Sequence, residues 1–291
     1  MIDLKDINEK YLSAEDFLSA DKEYIAKLSA IKTEIEKNAA TRPVTLLSGP
    51  SGSGKTTTAK MLESMLDGEG YETHVISLDD YFKTVKEGEV VDFESPDRVD
   101  GELLSSHIER LTHSEEILVP SFDFINTRRT DRYTRLKRGE KEIVIFEGIH
   151  ALNPSVVNCD KISVNKIFVS AQTSVKCGDK ILSPELIRLL RRIARDRLYR
   201  GRSAADTIAH LKSVTAGEVK FVYPFAKYAD FTVNSFIPYE LKVYKTAIGE
   251  EIEKISGENQ IAAELDDFLS KVKGTDLNFV PARSLIREFI G

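Results

Sequence analysis

The fold can be read outward from residues 44–57, Val44-Thr45-Leu46-Leu47-Ser48-Gly49-Pro50-Ser51-Gly52-Ser53-Gly54-Lys55-Thr56-Thr57. An apolar run is followed here by a glycine-rich turn with the pattern G-x-x-x-x-G-K-[ST], which predicts a buried strand, a phosphate-binding loop (P-loop) and the start of a helix. The glycines let the backbone bend so that its N–H groups approach phosphate oxygens. The new helix directs its positive N-terminal end at the same anion. The stretch therefore predicts a site for a nucleoside triphosphate.

The same stretch supplies the candidate residues of that site. Lys55 can reach the outer phosphates, and the Thr56 hydroxyl can coordinate Mg²⁺. We expect the nucleotide contacts to come from Gly49, Ser51, Gly52, Ser53, Gly54, Lys55, Thr56 and Thr57.

Apolar and amphipathic segments alternate along the rest of the chain. Strands are predicted at 44–48, 73–78, 143–148, 166–170 and 231–235, and helices at 58–66, 102–112 and 203–215. This alternation predicts an α/β fold of the P-loop NTPase type, a mostly parallel sheet with helices on both faces. A polar loop is predicted at 171–183.

Helical segments flank the predicted core at both ends. We expect an N-terminal helical extension at 1–42, a P-loop core at 43–240 with a lid at about 184–215, and a helical segment packed on the core at 241–291. In the extension, a stripe at helical spacing is predicted to be buried, namely Ile25, Leu28, Ile31 and Ile35.

Composition limits the class of function. The chain has 291 residues and a net charge of −6, which argues against general nucleic-acid binding. The N-terminus lacks the pattern of a signal peptide, and no apolar run approaches the ~20 residues that span a membrane. Cys159 and Cys177 form no CxxC pair, and we expect them to be free thiols in a reducing cytosol. The sequence thus predicts a cytoplasmic protein without membrane or nucleic-acid partners.

Charged residues follow the predicted strands. Asp79 and Asp80 come after one strand and Glu147 closes another, which is where open α/β sheets bind ligands. An arginine-rich segment follows, with Arg188, Arg191, Arg192, Arg195, Arg197, Arg200 and Arg202. Arg188, Arg192, Arg195 and Arg202 are predicted to lie close to one helical face, and Leu189, Leu190, Ile193 and Leu198 to form an apolar face.

Three classes of NTP-binding protein compete for this pattern. A small-molecule kinase needs an acid at a strand end to accept a hydroxyl proton and arginines to neutralise the transferred phosphoryl group. A GTPase needs Asn-Lys-x-Asp, whereas Asn165-Lys166 is followed by Ile167-Phe168. A mechanical ATPase usually has a larger body. The kinase is favoured, although an arginine-rich helix can also be a solvated or RNA-binding face, and two aspartates can be a turn or a helix cap.

Seven ordered segments together resemble the uridine kinase and phosphoribulokinase family of P-loop kinases, over about residues 43–240. They are 49–57, 76–82, 92–100, 120–124, 146–149, 191–202 and 227–230. The resemblance implies ATP as donor with Mg²⁺ as cofactor, and a small-molecule acceptor. Residues 1–40 and 250–291 lie outside it.

The resemblance also implies roles for single residues. Lys55 and the loop amides would hold the β- and γ-phosphates, Thr56 and Glu147 the Mg²⁺, and Asp79 would take the proton of the attacking hydroxyl, with Asp80 the next candidate. Arg192 and Arg195 would act on the transferred group, and Arg200 and Arg202 would contact ATP. The acceptor side would comprise Asp79, Tyr81, Glu94, Asp97, Asp100, Phe122, Thr127, Arg128 and Arg192.

The acceptor side departs from the pattern of the pyrimidine nucleoside kinases. Glu94 stands where that pattern has Asp, Phe122 where it has Tyr, and Thr127 where it has His. Arg128 and Arg129 would suit an anionic acceptor. The sequence predicts a uridine or cytidine kinase, and leaves open a kinase of ribulose 5-phosphate, pantothenate or glycerate, or a non-catalytic nucleotide-binding regulator that uses the arginine helix to bind RNA or a protein. It leaves the oligomeric state open, a homo-oligomer included.

Overall fold

The computed structural model describes residues 1–86, 88–89, 92–158 and 162–291, where the alternating segments form strands and helices in the predicted order. The strands are β1 (Ile2–Asp3), β2 (Val44–Ser48), β3 (Glu72–Ser77), β4 (Glu116–Val119), β5 (Phe122–Asp123), β6 (Arg128–Arg129), β7 (Thr134–Lys137), β8 (Glu142–Glu147), β9 (Asn165–Ser170), β10 (Val175–Cys177), β11 (Lys180–Leu182) and β12 (Phe231–Asn234). The helices are α1 (Leu4–Lys10), α2 (Ala14–Asn38), α3 (Lys55–Asp67), α4 (Gly101–Thr112), α5 (Pro184–Arg200), α6 (Ala204–Ala209), α7 (Leu211–Phe221), α8 (Glu240–Ser256), α9 (Gln260–Leu269) and α10 (Arg287–Ile290).

The central sheet has the strand order β12-β9-β2-β8-β3 and all its pairs are parallel. Continuous apolar runs such as Val44–Ser48 form its inner strands because both faces of a parallel sheet are covered. Leu47 of β2 and Ser77 of β3 are both in register with Glu147 of β8. The carboxyl ends of these three strands therefore meet at one edge, where the P-loop and the segment after β3 begin.

Helices pack on both faces of this sheet, which confirms the predicted α/β P-loop fold. On one face, Leu47 and Ile145 belong to a buried cluster that also contains residues of α2, α3, α5, α8 and α9. On the other face, Leu46 and Phe146 belong to a second cluster with residues of α4. Alternate residues of β2 and β8 thus anchor opposite helical layers.

Several predicted elements differ from the observed ones. The prediction of a polar loop at 171–183 is wrong, because Val175 and Leu182 are buried and pair in the β10–β11 hairpin. The helix predicted at 203–215 is divided between α6 and α7, with His210 at the junction. In α2 the predicted stripe is wrong at Ile25, which is 39% exposed, and Tyr24 is buried instead.

The two ends of the chain meet next to the P-loop helix. The Tyr24 hydroxyl of α2 lies 2.7 Å from the Thr58 hydroxyl of α3. The Tyr239 hydroxyl donates to Asp21 of α2 at 2.8 Å and lies 2.7 Å from the Ser284 hydroxyl near the C-terminus. Residues from 1–42, 43–240 and 241–291 contribute to one buried cluster. The division at these boundaries stays a prediction.

Two of the remaining expectations concern the cysteines and membranes. Cys177 carries a free thiol, and Cys159 lies outside the described residues. Within the part of the chain that the structure describes, no helix has the length and apolar character needed to cross a bilayer.

Candidate active site

The P-loop connects β2 to α3 through a backbone that only glycine can follow. Gly52 and Gly54 have φ values of +72° and +85°, in the left-handed region. A Cβ atom on Gly49 would lie 1.9 Å from the carbonyl oxygen of Val169. The N–H groups of the first turn of α3 have no acceptor within the helix, as at any helix start, so this end of α3 is suited to bind an anion.

Lys55, the first residue of α3, extends back along the loop. Its ammonium group donates to the carbonyl oxygen of Pro50 at 3.1 Å. Among the described residues it has no carboxylate within ion-pair distance. A lysine held by one neutral acceptor can exchange that acceptor for a phosphate oxygen at little cost.

Thr56 and Glu147 bring a hydroxyl and a carboxylate together next to Lys55. The Thr56 hydroxyl donates to Glu147 at 3.0 Å. Burial raises the pKa of Glu147 to about 7, Lys55 opposes this rise, and the negative charges of Asp79 and Glu288 add to it. Hydroxyl and carboxylate oxygens are the hard ligands that Mg²⁺ prefers, so this pair fits a magnesium ion.

A second group of metal-ligating side chains lies elsewhere. Glu72, His74 and Glu142 have ligand atoms within 4.8 Å of one another. Glu72 and Glu142 begin β3 and β8, so the group lies at the opposite end of the sheet from the P-loop.

Asp79 follows β3 and faces cations from two elements. Desolvation raises the pKa of Asp79, and the positive charges of Lys55, Arg200 and Arg195 oppose that rise. Asp80 has a different environment: desolvation raises its pKa, and a hydrogen bond from the Phe122 backbone opposes the rise. The positive charges of Lys55 and of α5 therefore act on the pKa of Asp79, whose side chain is exposed, rather than on that of its neighbour.

Two of the predicted arginines are buried in ion pairs that hold the P-loop. Arg188 makes two 2.8 Å hydrogen bonds to Glu218 and a third to the Ser51 carbonyl oxygen. Arg191 is completely buried and makes bonds of 2.7 and 2.9 Å to Glu240. It also donates to the Gly52 carbonyl oxygen at 3.2 Å. The alternative of a solvated or RNA-binding arginine face is therefore wrong for this part of α5.

The other arginines of this segment have looser partners. Arg192 is 6% exposed, and its Nε has no hydrogen-bond partner among the described residues. Arg195 donates to Asp196 at 2.9 Å, and Arg200 lies 3.4 Å from the same carboxylate.

The predicted helical faces of this segment are partly wrong. Helix α5 ends at Arg200, capped by Gly201 at φ +60°, so Arg202 lies beyond the helix rather than on its face. Leu198, predicted to be on the apolar face, is 45% exposed because the last turn extends past the core.

Aromatic side chains cluster around β5. Phe122 packs edge-on against Phe82 with ring centres 5.7 Å apart and against Phe124 at 5.1 Å. Phe122 is 7% exposed, whereas Phe93 and Phe124 at the rim are 36% and 51% exposed. The rings thus form an apolar wall that is open at one side.

Glu94 lies against the lid. A Cβ atom on Gly217 of α7 would come within 2.7 Å of the Glu94 Cβ, so only glycine permits this contact. Burial raises the pKa of Glu94 to about 7, and the nearby charge of Glu218 adds to this rise. Its Oε2 atom has no hydrogen-bond partner among the described residues.

Other predicted acceptor residues have structural contacts or lie apart. Tyr81, predicted to contact the acceptor, is completely buried and its hydroxyl lies 2.9 Å from His107 Nδ1. Asp100 caps α4 through the Leu103 N–H, at 3.2 Å. The carbonyl oxygen of Thr127 accepts the Val85 N–H at 3.0 Å. Asp97 and Arg128 have exposed side chains.

Comparison with known proteins agrees with this geometry. Residues 44–240 match the model of the Phosphoribulokinase / Uridine kinase family. The chain belongs to this family. A uridine kinase of Borrelia turicatae (strain 91E135) is 31% identical over 217 residues, which cover 70% of this chain and 95% of that protein. A uridine kinase of Macrococcus caseolyticus (strain JCSC5402) is 31% identical over 194 residues, covering 64% and 85%.

A solved structure shares the fold of this kinase family. It is that of a candidate fructose transport system kinase from Silicibacter sp. TM1040, with a TM-score of 0.50 and 20% identity over 70% of this chain and 98% of that one. The chain is accordingly an ATP-dependent phosphotransferase that acts on a hydroxyl group.

The sequence analysis did not identify three polar residues that lie near the P-loop of this kinase. Glu218 accepts the N–H of Ser51 at 2.9 Å, and Glu288 accepts that of Thr57 at 3.2 Å. His150 is 1% exposed, and burial lowers its pKa to about 4. His150 follows Glu147 by three residues and could have been noticed, whereas no local pattern marks the two glutamates.

Proposed function

We propose that this kinase transfers the γ-phosphoryl group of ATP to the 5′-hydroxyl of uridine or cytidine. The proposal depends on one observation: the aromatic wall adjoins the segment of Asp79. Phe82, three residues after Asp79, packs edge-on against Phe122 with ring centres 5.7 Å apart. A flat apolar ring stacked on such a wall would have its attached sugar close to a carboxylate. The names of the relatives from Borrelia and Macrococcus support the same acceptor class.

Asp79 is the proposed general base. Its charge lies near the cations Lys55, Arg195 and Arg200, so the ionised form that accepts a proton is supported even where desolvation opposes it. The pKa of Asp80 is not lowered by any of these three cations. A general base at this position would take the proton of the attacking hydroxyl as the bond to phosphorus forms.

The donor side is assigned to the P-loop and the lid. Backbone N–H groups of residues 49–57 would hold the phosphates, with Lys55 on the outer ones. Arg192 and Arg195 would face the transferred group, and Arg200 and Arg202 would contact ATP. Arg192 supports this best, because a buried guanidinium without a carboxylate within ion-pair distance in the described structure is a suitable partner for a phosphate.

Thr56 and Glu147 would hold Mg²⁺. When bound, the ion supplies charge neutralisation between the phosphates, while the two side chains fix its place. Glu147 must lose its proton to act as a ligand, which couples metal binding to pH near its raised pKa of about 7.

The acceptor would be held by Glu94 and the aromatic wall, with Phe122 stacking on the base. The unpartnered Oε2 of Glu94 is a suitable acceptor for ribose hydroxyls. Tyr81, Asp97, Asp100, Thr127 and Arg128 are less suited to direct contact, given their burial, exposure or existing hydrogen bonds.

A phosphorylated or otherwise anionic acceptor is less well supported. Arg128 is exposed, and Arg129 already donates to Asp100 at 3.2 Å and to the Tyr81 carbonyl oxygen at 3.0 Å. Of the two cations predicted from the sequence for a sugar phosphate, Arg129 is thus already engaged, and Arg128 is exposed to solvent. We also propose a cytoplasmic location, which the free thiol of Cys177 supports. The proposal keeps the division of the chain into residues 1–42, 43–240 and 241–291.

The test measures ADP release with Mg²⁺–ATP and one acceptor at a time. The panel contains uridine, cytidine, adenosine, ribulose 5-phosphate, pantothenate and glycerate. We expect uridine or cytidine to stimulate turnover most, with the 5′-monophosphate as product by mass spectrometry. Stimulation by an anionic acceptor alone would reject the nucleoside proposal. The Asp79→Asn protein serves as the matched inactive control.

A further inference from the structure

A carboxylate of the chain itself occupies part of the phosphate-binding end of α3. Glu288 Oε2 accepts the backbone N–H of Thr57 at 3.2 Å and its hydroxyl at 2.6 Å. Thr57 is the third residue of α3, so its N–H is one of the donors that a helix start leaves free for an anion. The carboxylate thus binds where the P-loop offers its N–H groups to a phosphate.

The segment that carries Glu288 is firmly docked. Leu285 packs on the loop so closely that a Cβ atom on Gly54 would lie 2.7 Å from it. Phe289 is completely buried, with the Arg191 guanidinium 5.3 Å from its ring centre. The Ser284 hydroxyl is bonded to Tyr239. Since residues on both sides of Glu288 are buried against the P-loop and α5, the carboxylate is held at α3.

Glu218, at the other end of the loop, provides the contrast. It accepts the N–H of Ser51, but its charge is matched by the two hydrogen bonds from Arg188. Within the described structure Glu288 has no cation at ion-pair distance, and its charge adds to the raised pKa of Glu147. Glu288 is therefore an anion without an ion-pair partner in the described structure, held at an anion site by Thr57 alone.

We propose that Glu288 is an internal competitor of the donor phosphates and sets the affinity for the nucleotide. Binding requires Thr57 to exchange the carboxylate for a phosphate oxygen, and the displaced charge then repels the polyphosphate. This inference rests on the proposed function only in taking residues 49–57 as the donor site. The competition concerns phosphate charge, so it acts on ATP, ADP and inorganic triphosphate but not on a ligand without phosphate.

The test compares the full-length wild type with Glu288→Gln, which keeps the shape of the side chain and removes its charge. Calorimetry measures the binding of ADP, inorganic triphosphate and adenosine at one ionic strength. We expect ADP and triphosphate to bind the variant roughly 2- to 30-fold more tightly, the range for an anion at a helix N-terminus. Adenosine should bind both proteins equally. Glu253→Gln, an exposed residue of α8, is the control for net charge and should change none of the affinities.

The remaining outcomes separate the two proposals. Unchanged or weaker binding of triphosphate to a Glu288→Gln protein with wild-type melting temperature would reject the competitor role. An equal gain for adenosine would also reject it, because the effect would then not depend on phosphate charge. A wild type and variant that both fail to bind ADP and triphosphate would instead reject the donor site at residues 49–57, and the inference with it.

Discussion

Replacing Arg191 by methionine removes a guanidinium that is completely buried and pairs with an equally buried Glu240. The change leaves the Glu240 carboxylate without its two bonds from Arg191, of 2.7 and 2.9 Å. It also removes a donor from the carbonyl oxygens of Gly52 and Ser235, at 3.2 and 2.8 Å. Methionine fills most of the volume, so the loss is chiefly electrostatic.

The expected loss in the free energy of unfolding follows from leaving the buried Glu240 charge unpaired. Breaking a buried ion pair by removing one partner costs about 3–5 kcal/mol. That is a large fraction of the roughly 5–15 kcal/mol by which a domain is stable, so we expect a clearly lower urea concentration at the midpoint of unfolding. Urea denaturation followed by circular dichroism at 15 °C measures the free energy of unfolding. The double variant Arg191→Met/Glu240→Leu removes both charges and should recover at least half of the loss.

Arg192, the next residue of α5, is the control for Arg191 because it is also buried. It has no ion pair in the described structure, so Arg192→Met should cost about 1 kcal/mol or less in stability. Its turnover should fall by about 10²-fold or more, since a donor aimed at the transferred group stabilises the transition state. A loss below about 1 kcal/mol for Arg191→Met, or equal losses for the two variants, would refute the division into a structural and a functional arginine.

Three further predictions concern the carboxylates of the cleft. Asp79→Asn should lower single-turnover rates by ~10²-fold or more with ADP affinity within about twofold of wild type; unchanged rates would move the base to Asp80. The raised pKa of Glu147, about 7, predicts that Mg²⁺-dependent ADP binding strengthens as pH rises through that value. Without metal, protonated Glu147 stabilises the fold. This contribution to the free energy of unfolding is complete below the ordinary pKa of the side chain and is lost as pH rises through about 7. Metal-free stability should therefore fall as pH rises, whereas Mg²⁺-dependent binding strengthens. Glu147→Gln should abolish the trend in binding and weaken the trend in stability, to which Glu94 with its raised pKa of about 7 also contributes; two unchanged trends would assign them to another group. Glu94→Gln should raise the acceptor KM about 10-fold or more and leave the KM for ATP unchanged; an equal effect on both would place Glu94 outside the acceptor site.

The fold was predictable because its signals are local. The β2 strand, the glycines of the loop and the first turn of α3 occupy one continuous stretch, and each follows from residue type alone. Apolar runs such as 143–147 predicted the inner strands for the same reason. The β10–β11 hairpin was missed because each of its strands has three residues, of which one is fully buried, too few to show a strand pattern.

The site was less predictable because its partners are distant in the sequence. Arg188, Arg191 and Arg192 look alike as a pattern of charges on one helix. They differ only through Glu218 and Glu240, which lie 30 and 49 residues further along the chain. Glu288 reaches Thr57 across 231 residues. A sequence pattern shows that arginines are present, whereas the distinction between structural and functional ones requires the positions of the carboxylates.

Helix α5 therefore does more than carry the lid. Arg188 and Arg191 donate to the carbonyl oxygens of Ser51 and Gly52, so α5 is bonded to the P-loop backbone itself. Arg192, next in sequence, is left without an ion pair in the described part of the chain. Because two neighbouring side chains fix the loop to the helix, the third is held at a defined place relative to the loop N–H groups. If Arg192 binds phosphate as proposed, the buried ion pairs would contribute by positioning it, without either pair touching the nucleotide.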